Sequence, residues 1–232
     1  MIRTKLNDLL KLLYPSLCLI CRRQLIDTEQ HICLHCLCDL PYARYHRLPE
    51  NPMLKLYAGI PQIREVAAFL LYEKDGVAQR LIHKFKYHDN SSLAKYLGRI
   101  ASLGMNTDGL FRDIDFLIPV PLHPKKERQR GYNQSYWIAH GMAAVYRLPV
   151  RNDVLHRKVY TTSQTRKSLY DRHLNTENVF GVKDAHTCAG KHILLIDDVI
   201  TTGATSIACI DALTAAIPDI RISMFSLAVV PQ

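Results

Sequence analysis

The chain has 232 residues, 48% of them hydrophobic, with 30 Lys and Arg against 21 Asp and Glu, a formal net charge of +9. That length suits one α/β domain with a small appendage, and no apolar run reaches the ~18 residues that cross a bilayer, which argues against a membrane-spanning protein. The positive excess favours a polyanionic partner, phosphates or nucleic acid, without choosing between them.

At the N-terminus, Leu6, Leu9, Leu10 and Leu13 recur at helical spacing with no small-residue cleavage site after them. They predict an amphipathic helix packed on the body of the protein rather than an export signal. A cytoplasmic, reducing location follows, where seven cysteines point to metal rather than disulfides. Residues 1–50 read as a Cys-rich module in which Cys18-x2-Cys21 and Cys33-x2-Cys36 each present two thiolates. Two such knuckles close a tetrahedron around Zn2+, and metal binding then supplies folding free energy that so small a core lacks. Four thiolates leave no open coordination position, so this zinc is structural. Cys38 is the spare thiol, and His31 and His35 lie near enough to substitute. The module's surface suits a lid or a docking face for nucleic acid or a partner protein.

Pro41, Pro49, Pro52 and Pro61 punctuate a connector that predicts the domain boundary, with a second domain over residues 51–232. Residues 66–72 predict a strand, Val77, Leu81 and Phe85 a helix, and Leu93, Leu97 and Ile100 another. Between the two helices, Lys84, Lys86 and Tyr87 are candidates to reach a phosphate. Residues 114–120 predict a buried strand running into PVPLHPKKERQRGYNQ, a basic loop with Lys125, Lys126, Arg128 and Arg130 in six residues. A helix then begins near Asn133 or Gln134, with Trp137, Gly141, Ala144, Val145 and Leu148 as its stripe. The loop sits at the C-terminal end of a strand, where open α/β sheets bind ligands. Residues 157–181 lack periodicity and read as a lid, with Gln164, Arg166, Lys167, Arg172 and Asn175 able to fold over a charged ligand. Cys188 and Cys209 stand alone and read as core.

The most informative stretch is HILLIDDVITTGATS, residues 192–206. Ile193 to Ile196 predict a fully buried parallel strand ending in the pair Asp197-Asp198. The loop Thr201-Thr202-Gly203-Ala204-Thr205 follows, then a helix with Ile207, Ile210, Leu213 and Ile217 on one face, stopped by Pro218. Small residues around one glycine let N–H groups and hydroxyls converge on an anion at the positive end of the helix dipole. Carboxylates just before such a cradle can accept hydrogen bonds from the vicinal hydroxyls of a ribose whose 5-phosphate lies in it. This stretch resembles the phosphoribosyl diphosphate (PRPP) motif of type I phosphoribosyltransferases; neither GxGxxG nor GxxxxGK[ST] occurs. Residues 220–230 predict the closing strand.

The four segments together, CxxC…CxxC, PVPLHPKKERQRGYNQ, TTSQTRKSLYDRHLN and LLIDDVITTGATS, resemble the ComF family over nearly the whole chain. The resemblance implies a type I phosphoribosyltransferase-like fold, a mostly parallel sheet flanked by helices, carrying an N-terminal zinc finger. It also implies a role in handling incoming single-stranded DNA during natural transformation, which no periodicity or spacing shows. Cys38 departs from the four expected cysteines. On this reading the protein is an enzyme or former enzyme that binds PRPP with Mg2+: Asp197 and Asp198 hold the ribose hydroxyls or water of the metal shell, and residues 201–205 the 5-phosphate. The basic loop and the lid stabilise the departing diphosphate. No general base for an acceptor is visible. The alternatives are a single-strand-binding protein in which Tyr132, Tyr136, Trp137 and Tyr170 stack bases and the pocket is a sensor or relic, and a scaffold whose zinc module docks a DNA-processing protein.

Overall fold

The computed structural model describes residues 15–87, 90–158 and 179–231. The N-terminal helix expected around Leu6 to Leu13 and the lid residues Gln164, Arg166, Lys167, Arg172 and Asn175 lie outside them, as does Tyr170.

Four parallel strands form the main sheet in the order β1 (Ile63–Leu71), β6 (Arg221–Val229), β5 (His192–Ile200), β2 (Phe116–Pro119). Strand residues alternate between its faces, so each apolar run supplies two cores at once. Ile193, Leu195, Ile222 and Met224 face one side and pack with Cys209, Ile210 and Leu213 of helix α7 (Ala204–Ala216). Leu194, Ile196, Phe225 and Leu227 face the other. There they meet Leu81 and Phe85 of α3 (Val77–Tyr87), Leu93 and Leu97 of α4 (Ser91–Thr107), and Ile138 and Met142 of α6 (Gln134–Tyr146). Cys188 and Cys209 are fully buried, as read.

The Cys-rich segment joins that second core. Cys18, Ile32, Cys33 and Leu40 cluster with Phe69, Phe85 and Leu97, around the short helix α1 (Leu34–Cys38). Beyond it the connector runs along β1: Leu71 N donates to Pro41 O at 2.7 Å and Ala43 N to Phe69 O at 3.0 Å. It then forms a single 3-10 turn, Tyr45–Arg47, and helix α2 (Pro52–Lys55), capped by Asn51. A small antiparallel pair, β3 (Leu155–Arg157) and β4 (Phe180–Val182), lies outside the main sheet.

Two expectations are corrected. The basic stretch after β2 is a helix, α5 (Pro124–Arg130), rather than a loop. Pro124 occupies its first turn, His123 Nδ1 accepts from Lys125 N, and Gly131 ends it at φ 78°, so both ends are chemically marked. The buried face of α6 is Gln134, Ser135, Ile138, Ala139, Gly141 and Met142; Trp137 is half-buried and Ala144 exposed. The rotation arises because α6 packs against α4 through glycine. A Cβ on Gly141 would collide with the Lys95 carbonyl, and one on Gly98 with the Ile138 carbonyl. Gly141→Ala is therefore expected to destabilise the fold by about 3 kcal/mol, an overpacking effect. Gly104→Ala on the open face of α4, where the new methyl meets nothing within 4 Å, should instead stabilise by up to ~1 kcal/mol. Denaturant melts of the two variants check the contrast.

Candidate functional site

Strand β5 does not stop at its carboxylates. It continues through Asp197 and Asp198 to Ile200, because β6 keeps pairing with it: Asp197 stands opposite Ser226 and Ile200 opposite Val229. On the other side β2 ends, its last register pair being Pro119 with Ile196. The acids thus emerge one and two residues beyond the point where their neighbouring strand is lost. From that edge β5 leads through α7, on one face of the sheet, to β6, whereas β2 leads through α5 to α6 on the other face. Such a divergence opens a crevice at the carboxyl ends of the strands.

Within the crevice Asp197 is buried and Asp198 half-buried. Asp198 N donates to Asp197 Oδ1 at 2.8 Å, and Ser135 Oγ, in the first turn of α6, lies 3.4 Å from the same oxygen. Burial, reinforced by the neighbouring Asp198 charge, pushes the Asp197 carboxyl up to about 7. Because the native state then binds a proton that the unfolded chain has released, stability is expected to fall as pH rises from 3.8 towards about 7. Chemical denaturation across that window, with Asp197→Asn flattening the slope, checks the sign.

Lys86 Nζ forms a 2.7 Å ion pair with Asp198 Oδ2, both side chains largely removed from water. Sequence marked Lys86 as a phosphate candidate, yet here it faces a carboxylate. Its helix end is held in place by neighbours: Tyr132 donates its hydroxyl to the Phe85 carbonyl, and the Arg130 guanidinium lies 5.5 Å from the Tyr87 ring centre. Lys84 instead lines a separate cavity with Leu19 and Arg22, and Tyr87 is exposed.

After β5, the residues Thr201 to Thr205 and Ser206 curl into a pocket of about 40 Å3, shared with Asp197, Val199 and Ile200. Gly203 takes φ 77° as the N-cap of α7, a conformation that suits glycine. Ser206 Oγ donates to Gly203 O at 2.8 Å and meets Tyr57 Oη at 2.8 Å, which pins the turn from below. The hydroxyl-bearing Thr201, Thr202 and Thr205 are exposed at its mouth. A pocket this small takes one compact group at a helix N-terminus, well below the ~300 Å3 needed for a drug-sized ligand.

The basic residues are dispersed by α5. Lys125, Lys126 and Arg128 are exposed, while Arg130 turns inward and donates to Gln134 Oε1 at 2.9 Å. A second cavity, about 530 Å3, opens beside them; Pro121, Asn133, Tyr136, Trp137, His156 and Arg157 are among its walls. Asn133 thus lines it two residues before Ser135 touches Asp197.

The four cysteines Cys18, Cys21, Cys33 and Cys36 bring their sulfurs within 4.8 Å of one another, and Cys21 Sγ lies 3.7 Å from Cys33 Sγ. Four sulfurs at ~2.3 Å from a central Zn2+ would stand ~3.8 Å apart, so the donor set fits. Backbone N–H groups of Ile20 and Cys33 point at Cys18 Sγ, at 3.5 and 3.4 Å, and Cys36 N at Cys33 Sγ, at 3.5 Å. Burial pushes the Cys36 thiol well above its ordinary range; at Cys18 those N–H donors and that of Cys21 outweigh burial and draw it down to about 6. Cys38 is exposed and outside the cluster.

Sequence reasoning missed Ser135 and Tyr57. Ser135 carried only the weak signal of a helix start, and Tyr57 sits in a connector with no periodicity.

No family model matches the chain. Among curated proteins it is 26% identical over 197 residues to competence protein F of Haemophilus influenzae, with 82% of this chain and 80% of the relative aligned. It is 27% identical over 207 residues to DNA utilization protein YhgH of Escherichia coli K12, covering 82% and 87%. Competence protein ComFC of Bacillus subtilis matches at 26% over 203 residues, covering 82% and 74%. These relatives support a ComF family assignment. Solved structures similar to this chain include the glutamine PRPP amidotransferase of B. subtilis, 16% identical at a TM-score of 0.41, covering 62% of this chain and 30% of that one. Adenine phosphoribosyltransferase of Leishmania tarentolae is another, 10% identical at a TM-score of 0.39, covering 73% and 92%. No helix among the described residues is long and apolar enough to cross a membrane.

Proposed function

We propose that this ComF-family chain is a phosphoribosyltransferase-like protein that binds PRPP with Mg2+ and acts in the use of incoming single-stranded DNA. One observation carries the ligand assignment: Asp197, the first of the paired carboxylates, lines the same small pocket as the Thr201–Thr205 turn at the carboxyl end of β5, with Asp198 next to it. In this reading Asp197 and Asp198 accept the ribose hydroxyls or hold water in the metal shell. Thr201, Thr202, Gly203, Ala204 and Thr205 take the 5-phosphate through main-chain N–H groups, hydroxyls and the α7 dipole. Mg2+, once bound, neutralises charge on the diphosphate, with few direct protein ligands. Lys86 already balances Asp198, so a cation arriving at the acid pair competes with an ammonium group. Lys125, Lys126, Arg128 and Arg130 are the candidate contacts of the diphosphate, and the lid residues of this reading, Gln164, Arg166 and Lys167, lie outside the described residues. Residues 1–50, with Zn2+ on Cys18, Cys21, Cys33 and Cys36, form a structural module on the domain of residues 51–232. Titration calorimetry of PRPP into the full chain tests the assignment: saturable binding that requires Mg2+ supports it, and no heat in either condition rejects it.

The DNA role rests on the names of the relatives, which are competence and DNA utilization proteins. It gains support from three exposed cations on α5 beside a cavity walled by Tyr136 and Trp137, a pairing of phosphate contacts with stacking surfaces. Binding of an oligothymidylate that weakens steeply with salt is the expected result; a flat salt response would remove this part of the proposal. The nearby cytoplasmic DNA-processing machinery is the partner class this role implies.

A further inference from the structure

Another cavity, about 510 Å3, lies apart from the acid pair and the cradle and shares no residue with either. Its existence has a sequence cause. Ile100, Ala101, Gly104, Met105 and Asp108 fall on one face of α4 and its C-cap at i, i+4 spacing. Opposite them stands Ala68 of β1. The small residues Ala68, Ala101 and Gly104 line it, and Phe69, Ile100 and Met105 make its floor apolar.

The polar wall is equally specific. Asp108 is spoken for: Arg47 grips it through Nε and Nη2, each at 2.8 Å, and His46 Nε2 lies 2.9 Å from Oδ2. Facing a carboxylate, Nε2 carries the imidazole proton, which leaves Nδ1 as the free position of the ring. That atom is buried and finds no partner among the described residues, on a side chain only 9% exposed. Arg44, set at φ 43° with its guanidinium 5.5 Å from the Tyr42 ring centre, stands exposed at the mouth. The Asp108 charge is matched by Arg47, so Arg44 leaves the mouth positive. An apolar chamber of this size with a few convergent polar groups has the form of a small-molecule site.

We infer that this cavity binds a small amphipathic organic anion: an apolar, flat or branched body against Phe69, Ile100 and Met105, an acidic group at Arg44, and an N–H or O–H that donates to His46 Nδ1. The site goes beyond the PRPP reading and does not depend on it.

The probe 8-anilinonaphthalene-1-sulfonate has each of these parts, and its uncharged relative N-phenyl-1-naphthylamine lacks only the acid. With the full zinc-loaded chain, the sulfonate is expected to bind at one saturable site and to slow alkylation of Cys38, the exposed thiol on the rim. Gly104→Leu places a side chain in open space, so the expected result is loss of binding with an unchanged or raised melting temperature. Gly104→Met repeats the test should leucine fail to fold. Arg44→Ala should weaken the sulfonate at least fivefold and leave the neutral relative unchanged. Sulfonate binding that survives the Gly104 variants, or no saturable binding to the wild type, overturns the site. Equal effects of Arg44→Ala on the two probes overturn the anion assignment.

Discussion

PRPP titrated into the Asp197→Asn/Asp198→Asn double variant is expected to give no binding heat at concentrations that saturate the wild type in Mg2+. The amide has the shape of the carboxylate, but it removes the negative charge of the pair and replaces an acceptor oxygen with a donor on each side chain. Hydrogen bonds to charged groups contribute ~1.5–3 kcal/mol each, so losing two of them weakens affinity by a factor of about 100 or more. The fold should survive. Asp197 is buried and already held partly protonated, at about 7, so a neutral amide relieves rather than adds a burial cost. Lys86 keeps an amide oxygen to donate to in place of Asp198. Unchanged affinity in a variant with a wild-type melting temperature would remove the acid pair from the binding site.

Stripping metal from the reduced protein is expected to lower the melting temperature of the whole chain by about 10 °C, rather than to release a separate small transition. A metal that binds only the folded state adds its binding free energy to folding. In a domain of this size each kcal/mol moves the midpoint by ~2–4 °C. The effect should be global because Cys18 and Cys33 belong to the same core as Phe69, Phe85 and Leu97. Cys18→Ser and Cys36→Ser should reproduce it and lose bound Zn2+, whereas Cys38→Ser should retain both metal and stability. Calorimetric melting beside metal analysis distinguishes these outcomes. A Cys18→Ser protein that still holds one Zn2+ per chain and melts normally would contradict the four-thiolate assignment.

The elements that could be read from sequence are those whose signals are local. The apolar run Ile193 to Ile196 has no polar face to present to water, so a strand buried on both sides follows, and a glycine among threonines before an apolar helix marks the turn. The two CxxC knuckles were legible for the same reason: their ligand geometry is set within four residues. The helix over Pro124–Arg130 is also locally encoded, by Pro124 in its first turn and Gly131 after its end, although the dense charge between those caps has the composition of a loop. The stripe of α6 is only partly legible: Gly141 is buried as expected and Ala144 is exposed, because which face turns inward depends on the backbone of α4 approaching at Lys95.

By itself, then, the sequence determined the order and type of the principal elements, the four-cysteine cluster and the join of two acids to a phosphate-sized turn, since each is encoded by near neighbours along the chain. Tertiary structure alone decided where β5 loses its neighbour β2, that Lys86 meets Asp198, that Tyr57 supports Ser206, and that a cavity opens between α4 and β1. These depend on packing between segments far apart in the chain: Tyr57 and Ser206 are 149 residues apart. No local propensity or spacing specifies which distant side chains the closing of a common core will bring together.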